Sequence, residues 1–403
     1  MEPFLTAVIG NPKHLEYGVA TIPLPIPDEE YDHCLELLAA LDIGSATERD
    51  CWIDDLENRN PMLKCLAGTI VNIDELDYFA KRLDGFTDYE MTQFQAEAAY
   101  KGFTDITDLI NLTFCSQEVT VIKDFTNLER AGRNHYLTVH GGSVLSTTYK
   151  QLDGSKLAAE LLQSGEGKIT PHGVLFENGM EMAQVYDGRH LPEYYYEPSE
   201  ITIRIASPGS PEKCELLYFP CPDTKIDRAI WRMEADELYD YSPEIEITEH
   251  MSQEVQDLFT AYGELGLHLF TLNHLAKCYK GFDEKALENF NALVDYADPQ
   301  TPDEILALAE NLYEFTFVKG IRTPEESGWH VILESGHYDL DPDLACYMDY
   351  RRFGENRVSM EEGVFTEQGY IAYLGTDPVV EEILARNGQE EQQVFDQQMG
   401  GMG

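Results

Sequence analysis

Positive charge is scarce in this sequence. Lys and Arg number 28 against 74 Asp and Glu, which gives a formal net charge of −46 over 403 residues. Affinity for nucleic acid comes mainly from cations that neutralise phosphates, so direct nucleic-acid binding is excluded on sign. The one basic cluster, DYRRFGENR at 349–357, is short and flanked by acids. Long apolar runs are missing too. No stretch approaches the ~18 residues a membrane span needs, and an acidic surface is repelled by anionic lipid. The opening MEPFLTAVIG has neither a basic n-region nor a long apolar core, so no signal peptide is expected and a cytoplasmic location is. None of the eight cysteines, Cys34, Cys51, Cys65, Cys115, Cys214, Cys221, Cys278 and Cys346, forms a CxxC pair. That spacing fits reduced, mostly buried thiols.

Signatures of chemistry are equally sparse. There is no phosphate-cradling GxxxxGK[ST], no GxGxxG and no zinc-binding HExxH. HGGS at 140–143 resembles an oxyanion-loop fragment, but no G-x-S-x-G elbow exists to supply a nucleophile. DLDPD at 339–343 spaces acids like a calcium loop, yet Leu344 stands where that loop turns on Gly and Tyr350 where it ends on Glu. His330 and His337 have no Cys/His set around them, and paired acids such as Asp54-Asp55 are too common here to mark acid–base catalysis. No catalytic residue, cofactor or metal is expected; an enzyme of unrecognised type is the reading from a different class.

What is abundant is acid, and it is spread along the chain. Residues 1–200 hold 34 acids and 14 bases, and the remainder 40 and 14. Aromatics at 11% and apolar residues at 43% supply enough material for packed cores, so the excess belongs outside a folded chain and not in a disordered tail. Such self-repulsion costs stability and calls for a use: halophilic solvation, cation binding, or a negative field shown to a basic partner. At duplex DNA's one charge per ~1.7 Å, 46 charges on one path would span about 78 Å, or roughly 23 base pairs. The surplus is large enough to imitate a long DNA footprint.

The chain also repeats itself. LDYFAKRLDGF (76–86) is echoed by LNHLAKCYKGF (272–282), 196 positions on. EVTVIK (118–123) and EFTFVK (314–319) keep that offset, as do GKITPHGVLFENG (167–179) with GVFTEQGYIAYLG (363–375), and LTAVIGNP (5–12) with ITIRIASP (201–208). PIPDEEYD (25–32) and PCPDTKID (220–227) differ by 195. Five segments in one order predict a tandem duplication of domain-sized units. The expected fold is α+β, an elongated tandem of two homologous units built from small mixed subdomains. The expected boundaries are a first unit at 1–184, an exposed connection at 185–199, a second unit at 200–385, and a polar tail at 386–403.

Within each unit, FLTAVI (4–9) and ITIRIA (201–206) read as strands. Asp28 and Asp223 are expected to cap helices over 29–41 and 224–233. Helices are expected at 76–86, 272–282, 105–114 and 301–315, with Gly85 and Gly281 ending theirs at positive φ. EVTVIK, EFTFVK, GVLFENG and GYIAYLG read as strands.

At 330–375 the residues resemble a known family. Glu334, Gly336, Pro342, Leu344, Tyr347, Asp349-Tyr350, Phe353-Gly354, Thr366 and Gly369 are similar to the C-terminal region of ArdA-type antirestriction proteins, and ITIRIASP…LYFPCPD resembles that family's first strands. The resemblance covers about 201–375. It implies an acidic DNA mimic that occupies the DNA-binding groove of a type I restriction–modification complex, carried on a plasmid, conjugative element or phage. The partner would be a DNA-binding protein of a bacterial defence system, with a CRISPR effector or another defence nuclease as the alternative target. A homodimer, or a tandem chain standing in for one, would follow. The first unit lacks the Tyr-x-Asp-Tyr-x-x-Phe-Gly element and reads STTYKQLDGSKLA instead, a degenerate C-terminal part.

The expected phosphate-mimicking surface acids are Asp50, Asp54, Asp55, Glu57, Asp74, Glu75, Asp77, Asp84, Asp88 and Glu90 in the first unit. In the second they are Glu234, Asp236, Glu237, Asp240, Glu244, Glu246, Glu334, Asp339, Asp341, Asp343, Asp349, Glu361, Glu362 and Glu367. Tyr347, Tyr350 and Phe353 are expected to pack the domain rather than touch a partner.

Overall fold

The structure, a computed structural model, describes residues 3–58, 60–179, 183–196, 198–207, 210–233, 242–247, 251–263 and 269–386. It is a mixed α+β chain with several small antiparallel sheets. Two compact units divide it: the first takes in residues up to 198 with 206–216 and 224–236, and the second takes 199–205, 217–223 and 237 onward.

The first unit opens on strands β1 (Leu5–Gly10), β2 (Val19–Leu24), β3 (Cys51–Asn58) and β4 (Ile70–Val71), in the sheet order β2-β1-β3-β4. Leu5, Ala7 and Ile9 alternate inward, as a strand with one buried face requires. Helices α1 (Tyr31–Ala40) and α2 (Ile73–Asp84) contribute Leu38, Leu76, Phe79 and Leu83 to the same core. α2 starts in a capping box: Asn72 accepts the N–H groups of Asp74 and Glu75, and Glu75 accepts that of Asn72. Helices α3 (Asp88–Lys101) and α4 (Ile106–Leu112) follow, capped by Thr87 and Asp105.

Strand β5 (Val119–Ile122), helices α5 (Leu128–Val139), α6 (Ser146–Gln151) and α7 (Gly154–Gln163), and strands β6 (Lys168–Thr170) and β7 (Gly173–Glu177) complete a module with sheet order β5-β7-β6.

Further along come β8 (Ile201–Ser207), β9 (Ser210–Phe219), α8 (Asp223–Arg232), β10 (Ser242–Ile247) and α9 (Gln253–Gly263), with the three strands ordered β10-β8-β9. Helices α10 (Leu269–Gly281), α11 (Glu284–Ala297) and α12 (Pro302–Glu310) lead to β11 (Phe315–Lys319). Then follow α13 (Pro324–Trp329), α14 (Pro342–Ala345), α15 (Tyr350–Glu361), β12 (Val364–Phe365) and β13 (Gly369–Tyr373), in the sheet order β11-β13-β12. A helical stretch covers 378–386.

The element order of 73–177 thus recurs over 269–373, and α2 and α10 begin 196 positions apart. Details recur at the same spacing. Val119 opposes Glu177 as Phe315 opposes Tyr373. Thr170 Oγ1 donates to the Gly173 carbonyl as Thr366 Oγ1 does to Gly369. Asp153 caps α7 through the Lys156 N–H, and Asp349 caps α15 through that of Arg352. The Ile26 N–H donates to Asp77 Oδ1, and the Cys221 N–H, 195 positions on, donates to Asn273 Oδ1. The STTYKQLDGSKLA stretch therefore forms the same short helix, capping Asp and long helix as PDLACYMDYRRFG, although most side chains differ.

Three local expectations are corrected. Asp28 and Asp223 do not cap helices with their side chains. Asp28 pairs with Lys225 at 2.5 Å, and Asp223 takes Asn273 Nδ2 at 2.7 Å and Lys277 Nζ at 3.1 Å. Gly85 ends α2 at φ −74°, not at positive φ, with the Tyr194 hydroxyl lying over it. Gly281 is the last residue of α10 and is not at positive φ either. The connection at 183–196 has no helix or strand, but it is not simply exposed. Tyr186 is buried, its hydroxyl donates to Glu75 at 2.8 Å, and its N–H donates to Asn111 Oδ1.

Helix pairs α5/α7 and α13/α15 approach through glycine. A Cβ on Gly132 would fall on the Gly154 carbonyl, and one on Gly328 on the Tyr350 carbonyl. Ala in place of Gly raises helix propensity by up to ~1 kcal/mol. Here Gly132→Ala and Gly328→Ala must push backbones apart and are each expected to lower stability by about 1–3 kcal/mol. Urea unfolding of the full chain checks the sign.

Candidate functional site

The candidate site is the exposed acid, and the fold sorts the expected acids into distinct groups. Asp74, Glu75 and Asp77 are not surface groups. All three are at most 7% exposed, although their helix reads as solvated by composition. Asp74 lies between two guanidiniums: Arg228 Nε at 2.9 Å and Arg232 Nη1 at 2.6 Å from Oδ2, with the Tyr31 hydroxyl donating to Oδ1 at 3.2 Å. Arg232 also grips Glu215 with two bonds of 3.0 Å, and Arg228 donates to the carbonyls of Gly44 and Ser45. Burial alone would raise the Asp74 carboxyl, but the two Arg charges outweigh it and hold the group below the usual carboxylate range. Its stabilisation is present at neutral pH and is lost as pH falls through that lowered value. Glu75 takes Arg49 Nη2 at 2.6 Å, and Asp77 takes Lys81 Nζ at 2.8 Å.

Other expected acids are capping or paired. Glu90 closes a box with Thr87, Asp341 accepts the Asp343 N–H at 2.9 Å, and Asp349 caps α15. Glu334 meets His330 Nδ1 at 2.9 Å. Glu361 meets Arg357 Nε at 2.7 Å and accepts the Tyr370 hydroxyl. Asp50 is half-buried and accepts the N–H groups of Gly44 and Ser45. Asp84 is exposed and accepts the Tyr196 hydroxyl.

Exposed carboxylates without a helix-capping task include Asp54, Asp55 and Glu57 in the first unit. In the second they include Asp339, Asp343, Glu362 and Glu367. Asp88 is exposed in the first turn of α3. Asp54 and Asp55 face outward in succession because β3 bulges against β1. Val8 opposes Asp55 and Ile9 opposes Ile53, leaving Asp54 as the extra residue. A regular strand would have turned one of the two inward. Glu234, Asp236, Glu237 and Asp240 lie outside the described residues. Glu244 and Glu246 lie in β10, with side chains outside the description.

The family-like motif is structural at most positions. A Cβ on Gly354 would fall on the Pro324 carbonyl, Gly336 sits at φ 71°, and the Tyr350 hydroxyl donates to the Ala345 carbonyl. Phe353 meets Tyr338 edge-on at 6.0 Å. Tyr347 departs from expectation: it is 83% exposed and does not pack the domain.

Two constellations escape a reading of the sequence: the Asp74–Arg228–Arg232–Glu215 cluster and a buried Glu97–Lys101–Glu118 group, where Lys101 Nζ lies 2.7 Å from Glu97 and 3.4 Å from Glu118. The one local signal within them is the i,i+4 spacing of Glu97 and Lys101. Among the described residues, no group of three or more His, Cys, Asp or Glu could hold a metal ion, and no helix is long and apolar enough to cross a membrane. Comparison with protein-family models and with curated proteins gives no match to this chain.

Replacing Arg232 by Met leaves Glu215 buried without its guanidinium. The expected loss is about 3–5 kcal/mol. A Glu215→Leu/Arg232→Met pair should recover part of it, because Asp74 keeps Arg228. Urea denaturation of the two variants measures both effects.

Proposed function

We propose that this protein is a DNA mimic: a tandem of two ArdA-like units that blocks the DNA-binding groove of a type I restriction–modification complex. The carrying observation is the −46 charge of a chain whose cores are nonetheless packed, with exposed carboxylates in both halves. Such a surface attracts a basic groove over long range and competes there with duplex phosphates. The role of the acids is collective, and no bond is made or broken.

The tandem part of this reading is supported by the recurrence of elements, register pairs and capping residues at one offset. The target class rests on the residues at 330–375 that resemble ArdA-type proteins. A CRISPR effector or other defence nuclease with a basic channel would be engaged by the same chemistry, and the assay below tells these targets apart.

The full chain is expected to displace a fluorescent duplex from a type I restriction–modification complex. Its affinity should fall steeply as salt rises from about 50 to about 200 mM. Neutralising Asp54, Asp55 and Glu57, and then Asp339, Asp343 and Glu367, should weaken displacement stepwise, whereas Asp74→Asn should lower stability and leave displacement by the folded fraction intact. Failure to displace DNA at low salt overturns the restriction-enzyme reading. Displacement from a CRISPR effector alone would transfer it to that target.

A further inference from the structure

Glu97 and Glu118 sit in the first unit where helix α3 meets the start of β5, and they are 1% and 5% exposed. Lys101 bridges one oxygen of each: Glu97 Oε1 at 2.7 Å and Glu118 Oε2 at 3.4 Å. The remaining oxygens, Glu97 Oε2 and Glu118 Oε1, are buried and find no donor among the described residues. Lys101 Nζ thus holds one oxygen of each carboxyl and, among the described residues, is the one cation that reaches both. With both ionised, this buried group carries one uncompensated negative charge and two orphaned acceptors, a costly arrangement. One proton on Glu97 removes the charge and turns an orphaned acceptor into a donor.

Glu118 is also a structural hinge point. Its N–H donates to the Cys115 carbonyl at 2.9 Å, and its carbonyl accepts the Asn178 N–H at 2.7 Å. Next to it, Gln93 Nε2 of α3 donates to the Val119 carbonyl at 2.6 Å. The group therefore ties α3 to the β5-β7-β6 sheet. At the corresponding place in the second half stand Leu293 and Ala297, both buried, and an exposed Glu314. An apolar residue thus serves that position in the other half.

We propose that the Glu97 carboxyl, buried beside Lys101 and Glu118 with an oxygen left unsatisfied, takes up a proton and acts as a pH-sensitive latch that holds the β5-β7-β6 module against α3. The other charged and titratable groups on elements packed against α3 are Asp108, Cys115, Lys123, Lys168 and Glu177. Lys123 is held by Thr92 Oγ1 at 2.9 Å, and Lys168 lies over the Tyr100 ring. Lys101 is the cation that contacts both carboxylates.

Burial pushes the Glu97 carboxyl from its ordinary 4.5 up to about 7, with Lys101 opposing the rise and Glu118 adding to it. Because the folded value lies above the unfolded one, the latch contributes fully below about 4.5 and is lost as pH rises through about 7.

Amide hydrogen exchange on the full chain tests this, with rates corrected for intrinsic chemistry. Protection at 119–122 and 174–177 should fall about tenfold between pH ~6 and ~8. The strands 315–319 and 369–373 serve as an internal control and should not follow. Glu97→Gln keeps a donor and removes the titration, so its protection should stay flat. Glu97→Leu, which places the residue found at 293, should also stay flat and guards against a misfolded Gln variant. A fall that persists in both variants, that occurs equally in both sheets, or that is missing from the unaltered chain overturns the latch.

Discussion

The allocation of scarce cations governs this molecule. A buried carboxylate is tolerable only beside a positive charge or with a proton, and there are 28 Lys and Arg to share among 74 acids. The structure commits several of them to the interior. Arg228 and Arg232 serve Asp74 and Glu215, Arg49 serves Glu75, Lys81 serves Asp77, and Lys101 serves Glu97 and Glu118. Each cation drawn inward is withdrawn from the surface. Six carboxylates go inward with these five cations, so the interior is close to neutral and the surface keeps nearly the whole of the net negative charge.

The clearest instance is the pair of guanidiniums on α8. They lie 154 and 158 positions beyond Asp74, yet they belong to the same compact unit. Arg suits this work because its planar fork satisfies two carboxylates at once and stays charged when buried. At the position corresponding to Asp74, 196 residues on, stands Phe270. The acid that anchors the cluster is therefore not repeated at that offset. The Glu97 group behaves the same way, with Leu293 in its place. Where the two halves agree, they agree in backbone devices: a capping Asp, a Thr turn, small residues where helices cross. One of their differences is buried charge.

That division suits the DNA-mimic reading. A fold held by caps, sheet register and glycine contacts tolerates wholesale change of its outward side chains, since those devices do not use them. The bulge in β3 adds a local example, presenting Asp54 and Asp55 on one side of a sheet whose regular alternation would have hidden one of them. The family-like residues at 330–375 follow the same logic. Gly354, Asp349 and Thr366 fix the backbone, while Tyr347 stands in solvent.

The sequence by itself determined the strands near 5–10 and 201–207, the amphipathic helices and the α+β class, because these depend on local period and on turn residues that act within a few positions. It also determined the sign of the field, which is a matter of counting. Only the tertiary structure decided which acids face water. Asp74, Glu75 and Asp77 carry the composition of a solvated helix face, and their burial follows from guanidiniums, tyrosine hydroxyls and the Ile26 N–H that other segments bring to them, with Lys81 of the same helix completing Asp77. Burial of charge depends on partners distant in sequence, and no local pattern records where those partners will come to rest.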